Sequence, residues 1–111
     1  MPLIANTPEP PYYAVIFTSH HTEGDKGYRD MASRMVDLAA KQTGFLGIES
    51  AKDDMGITIS YWSDINSIKR WKANLEHLEA QRRGHEQWYS SFKVRISKVE
   101  RDYGTAQPGS A

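Results

Sequence analysis

Three residues near the end of one amphipathic segment carry the most capable chemistry in this chain: His77, Gln81 and Arg82. On a helix, positions three and four apart adjoin, so the imidazole of His77 and the amide of Gln81 share a neighbourhood, which Arg82 or His85 joins by one further step. A neutral His77 can take a proton from an acidic hydroxyl, Gln81 can orient the substrate oxygen, and Arg82 can stabilise the oxyanion that results. The competing reading makes His77 a partly exposed histidine bonded to a neighbouring carbonyl or to Glu49. Trp71 and Tyr61 supply aromatic walls, although Trp71 also falls on an apolar stripe where core packing is the ordinary duty. Glu49 lies within a strand, where a carboxylate either faces water or needs a partner, for which Arg82, Arg95 or His77 are candidates.

These residues need elements to hold them. Residues 1–11 contain four prolines and little periodicity, and read as an extended arm outside the core. Tyr12 to Ser19 is rich in aromatic and β-branched residues and reads as a first strand. From Tyr28 to Gln42 the apolar positions Met31, Met35, Leu38 and Ala39 recur at helical spacing. Gly44 is placed to end that helix in a left-handed conformation. Phe45 to Ala51 and Ile57 to Trp62, joined through Asp53-Asp54-Met55-Gly56, read as an antiparallel hairpin. Ser63-Asp64 can cap a second helix whose stripe is Ile65, Ile68, Trp71, Leu75 and Leu78, ending near Gly84. Ser91 to Tyr103 reads as a half-exposed last strand, and 104–111 as a polar tail.

The order strand, helix, strand, strand, helix, strand defines an α+β, ferredoxin-like βαββαβ domain over 12–103, with both helices on one face of a four-stranded antiparallel sheet. Tyr61 and Trp62 are adjacent on a strand and must face opposite sides, one toward the helices and one away. The face without helices needs cover, and a second copy of the chain is the economical partner, so a homodimer is expected.

Composition narrows the function classes. With 111 residues the chain supports one modest core. Lys plus Arg and Asp plus Glu are equal at 14 each, which gives no global field toward nucleic acid or an anionic membrane. The absence of cysteine removes disulfides and thiolate chemistry. The first residues lack a basic leader and a long apolar run, and no run suits a membrane helix, so a soluble, cytoplasmic protein is expected. No phosphate loop, dinucleotide fingerprint, nucleophile elbow or helical zinc-binding histidine pair occurs. His20-His21 with Glu23 and Asp25 is a poor candidate for a metal site, because adjacent histidines in a loop seldom close a ligand set.

Several stretches carry a resemblance: Gln42, Gly44-Phe45-Leu46-Gly47, Glu49-Ser50-Ala51, then Gly56 through Trp62, His77 with Ala80-Gln81-Arg82, and Trp88-Tyr89. Over Tyr12 to Tyr103 the chain resembles the antibiotic biosynthesis monooxygenase family of dimeric α+β barrels. The resemblance implies a homodimeric, cofactor-independent oxygenase with no metal or flavin, acting on a small aromatic or polycyclic phenolic or quinol-type substrate. In such enzymes the deprotonated, electron-rich substrate itself reacts with dioxygen. A second branch of the family binds and degrades haem through a helix histidine ten residues after a tryptophan. Ten residues after Trp71 stands Gln81, so the haem alternative requires His77 to reach iron from another register. The asparagine expected on the first strand in that branch is missing from Tyr12 to Ser19. A third alternative is a non-catalytic, small-molecule-binding or stress-related dimer.

Overall fold

The computed structural model describes residues 3–21, 28–81 and 89–105; at 21, 28–33, 76–81 and 89–91 it describes the backbone alone. Six elements follow in the expected order: β1 (Tyr12–His21), α1 (Tyr28–Ala40), β2 (Phe45–Lys52), β3 (Gly56–Trp62), α2 (Ile65–Gln81) and β4 (Tyr89–Val99). The strands form one antiparallel sheet in the order β2-β3-β1-β4. Among the described residues α1 rests on β2, α2 rests on β3, and the two helices touch each other. This is the expected ferredoxin-like α+β arrangement.

Register assigns every strand residue to a face. Tyr13 pairs with Trp62 and Val15 with Ser60, and Val15 and Trp62 share a buried cluster with Ala39 of α1 and Ile68 of α2. Odd positions of β1 and even positions of β3 therefore face the helices, and their neighbours in sequence face away. The open face carries Tyr12, Ala14 and Ile16 of β1 with Ile57, Ile59 and Tyr61 of β3.

Two strand limits differ from the sequence reading. β1 continues past Ser19 through His20 and His21, because β4 begins at Tyr89 and pairs with them. The two histidines are thus strand residues, not loop residues; Glu23 and Asp25 lie outside the described residues. At the other end β4 stops at Val99, opposite Tyr12, where Pro10-Pro11 ends the partner strand and offers no further N–H. Helix α1 ends at Ala40, and two further turn bonds, from Lys41 N to Leu38 O and Gln42 N to Ala39 O, lead the chain to Gly44.

Candidate functional site

The joint between β2, β3 and the start of α2 is built around Gly44. Its φ of 95° lies in the left-handed region, and a Cβ placed there would sit 2.2 Å from Ser67 Oγ. Only glycine suits both conditions. Gly44 O accepts from Ser63 N at 2.8 Å, which ties the end of β3 to the start of β2. Immediately after, Asp64 Oδ1 accepts from Ser67 N at 2.7 Å, the geometry of a helix N-cap. That backbone bond, with help from the Ser63 and Ser67 hydroxyls, holds the Asp64 carboxyl below its usual range. Ser67 is fully buried and accepts from Arg70 Nη2 at 3.0 Å.

This joint fixes an aromatic wall on the helix side of the sheet. Trp62 is fully buried and donates from Nε1 to Ser60 Oγ at 2.9 Å. Phe45 meets it edge to face at 5.5 Å, and Trp71 lies over it at 5.0 Å with the rings tilted by 31°. Trp71 Nε1 is buried yet meets no hydrogen-bond acceptor among the described residues. A buried donor without an acceptor forgoes about 1–3 kcal/mol, so such groups need an explanation.

The same face continues apolar toward β4. Val15 pairs with Ile96, Phe17 with Val94 and Ser19 with Phe92, and Phe17 stacks on Phe92 at 5.6 Å. Because the helices lean toward β2 and β3, Phe92, Val94 and Ile96 remain 61%, 46% and 52% exposed. The helix side of the sheet thus combines a packed aromatic cluster at β2 and β3 with an exposed apolar row on β4.

The open face has a different chemistry. Tyr61 donates from its hydroxyl to Glu49 Oε1 at 2.7 Å, and the second oxygen of Glu49 accepts from the backbone N–H of Ala5 at 2.9 Å. Tyr12 donates to Asp102 Oδ2 and accepts from Thr7 Oγ1 at 2.9 Å. The rings of Tyr12 and Tyr61 meet edge to face at 5.8 Å. Burial first, then the hydrogen bond to Glu49, pushes the Tyr61 phenol above its ordinary value of 10.0; burial and then the bond to Asp102 raise Tyr12.

The sequence-derived set is thereby divided. Trp71 stands at the helix-side wall, but Tyr61 and Glu49 occupy the opposite face, so Tyr61 does not wall the same cleft as Trp71. Trp62 takes that place, since alternation along β3 sends its neighbour to the other side. Among the described residues Glu49 is partnered by Tyr61 and Ala5 and not by Arg95, and the arm is packed against the sheet. The side chains of His77 and Gln81 lie outside the described residues, as does all of Arg82. Backbone register alone places position 77 about two and a half turns after buried Ile68, on the other side of the α2 axis. Sequence reasoning missed Ser60 and Ser67; small hydroxyl residues give no signal until their buried donors and acceptors are known.

Among the described residues no helix is long and apolar enough to cross a membrane, and no group of three or more His, Cys, Asp or Glu could hold a metal ion.

The fold is that of the antibiotic biosynthesis monooxygenase type. It is shared with SnoaB, a cofactor-independent oxygenase from Streptomyces nogalater, at a TM-score of 0.64 and 16% identity over 84% of this chain and 97% of that one. PA3566 from Pseudomonas aeruginosa matches at a TM-score of 0.64 and 20% identity, over 86% of this chain and 98% of its own. No protein-family model matches the sequence. The uncharacterized protein YqjZ of Bacillus subtilis (strain 168) is 50% identical over 103 residues, covering 91% of this chain and 90% of YqjZ, and the chain belongs to the YqjZ family.

Proposed function

We propose that the protein is a cofactor-independent monooxygenase that holds a small aromatic or polycyclic phenolic or quinol-type substrate on the helix-side face of its sheet. The observation that carries this reading is the buried Trp71 Nε1 with no acceptor among the described residues, beside the ring of Trp62, which Phe45 also meets. A planar substrate stacks on such aromatic rings, and its oxygen accepts from Trp71 Nε1. The shared fold of SnoaB, a cofactor-independent oxygenase, supports the same reaction class.

The electrons balance without a cofactor. A ring CH2 activated by a phenol loses a proton, the carbanion reduces dioxygen, and one oxygen atom becomes a carbonyl at that carbon. The other leaves as water with the two hydrogens, so the substrate supplies all four electrons. Trp71 stabilises the charge that builds on the phenolic oxygen. His77 serves as base in this proposal, with Gln81 and Arg82 as oxygen contacts near the end of α2, which requires the last turns of α2 to present position 77 on the substrate's side. A second copy completes the molecule by covering the part of the open face around Ile16, Ile57 and Ile59.

The test is oxygen uptake with a panel of anthrone-like and quinol-like compounds. Turnover by the wild type, with kcat/KM reduced about tenfold or more in Trp71→Phe, is the expected result. Uptake by no member of the panel overturns the reaction class, and ligand binding without uptake assigns the chain to the non-catalytic alternative. A Soret band on haem titration favours the haem alternative. Unchanged rates in His77→Ala remove the histidine from the mechanism, and a monomer by sedimentation at micromolar concentration removes the dimer.

A further inference from the structure

Strand β2 changes face where the N-terminal arm lies on it. In a regular strand Phe45 and Gly47, two residues apart, would share a side. Here the register shifts between them: Phe45 pairs with Trp62 on the helix side, and Gly47 pairs with Tyr61 on the open side. The extra residue, Leu46, makes this a bulge, a device that re-aims side chains locally. Gly47 is bare because the arm occupies its side-chain space; a Cβ there would stand 2.8 Å from the Cβ of Ala5. Two residues on, Glu49 takes the Ala5 N–H with one carboxylate oxygen and the Tyr61 hydroxyl with the other. Thr7 adds a second attachment through Tyr12, which is anchored in turn to Asp102.

We propose that residues 3–11 are a strap, latched at Glu49 and seated on Gly47, whose closure sets the β2 bulge and thereby the position of Phe45 in the aromatic wall. The chain of contact is continuous. Ala5 presses on Gly47, the bulge joins Gly47 to Phe45, Phe45 meets Trp62 at 5.5 Å, and Trp62 meets Trp71 at 5.0 Å. Opening the strap lets the bulge relax and shifts Phe45 against Trp62, so an event on one face of the sheet alters the surface on the other. The strap is the low-stability unit here: among the described residues it is held by a few side-chain bonds and not by a ladder. Glu49 acts in this device as a positioning residue, and the coupling requires no assumption about the reaction.

Two variants attack the strap differently. Glu49→Ala removes the latch, and Gly47→Ala removes the seat while leaving the latch carboxylate in place. Both are expected to raise amide exchange at Ala5 about tenfold or more. Both should also change the near-UV tryptophan circular dichroism, with protection at Val15 and Ile16 retained. Glu49→Gln, which keeps one acceptor, should fall between wild type and Glu49→Ala. Unchanged exchange at Ala5 in both variants overturns the latch, and faster exchange with an unaltered tryptophan signal overturns the coupling. Equal loss of protection at Val15 and Ile16 also overturns the proposal, because the strap would not then be a separable unit.

Discussion

On the helix side of the sheet, Trp62, Phe45 and Trp71 meet ring to ring around one internal hydrogen bond, whereas on the open side Tyr12 and Tyr61 each donate a hydroxyl proton to a carboxylate. Both faces draw an aromatic residue from β3, Trp62 on one side and Tyr61 on the other. What differs is how much of the stabilisation depends on shape and how much on charge. The helix side rests on burial, which is insensitive to pH and intolerant of lost volume. The open side rests on hydrogen bonds to carboxylates, individually modest and dependent on protonation.

Truncation should separate the faces most clearly. Trp62→Ala empties a fully buried position and is expected to cost about 3–5 kcal/mol, read as a fall in urea midpoint and thermal midpoint. A cost below that of any open-face substitution would invert the comparison. Gly44→Ala should follow at about 1–3 kcal/mol, because a Cβ meets Ser67 Oγ at 2.2 Å and the backbone is left-handed. Tyr61→Phe keeps the ring and loses the bond to Glu49, for an expected loss of about 1–2 kcal/mol by urea unfolding.

The alkaline limb sharpens the contrast. The folded Tyr61 phenol lies above its ordinary value of 10.0, so its contribution is complete below pH 10 and is lost as pH rises through the higher folded value. Urea midpoints measured above pH 10 should therefore fall less steeply in Tyr61→Phe than in wild type. The smallest effect is expected at Asp64, which is exposed and held below 3.8 mainly by the Ser67 N–H. Its contribution is complete above the ordinary value and fades as pH falls through the depressed one. Asp64→Asn should accordingly unfold earlier than wild type at neutral pH, with the difference closing in strong acid.

The faces also differed in how far the sequence disclosed them. Periodicity exposed the element order, the stripe from Ile65 through Trp71, the Asp64 cap and the left-handed Gly44, because each is a local pattern. Alternation showed that Tyr61 and Trp62 oppose one another but not which side each takes; that depends on where two helices come to rest. The partners of Glu49 were illegible, since Ala5 is 44 residues away and bonds through its backbone. The bulge after Phe45 was hidden for a related reason: its cause is the arm on Gly47, a contact that leaves no trace in the spacing of β2. The reach of β1 to His21 likewise depended on the start of a distant partner strand.

Strand β4 gives one further consequence. It is an edge strand, and on the helix side it shows Phe92, Val94 and Ile96 to solvent while Lys93 and Arg95 interleave with them on the other side. Cationic side chains along an exposed ladder edge discourage intermolecular strand pairing. Because total charge is balanced at 14 of each sign, long-range repulsion between molecules is weak near neutral pH, and these local charges carry more of the burden of keeping the protein dispersed. Lys93 and Arg95 thus act as local guards of the β4 edge at high protein concentration.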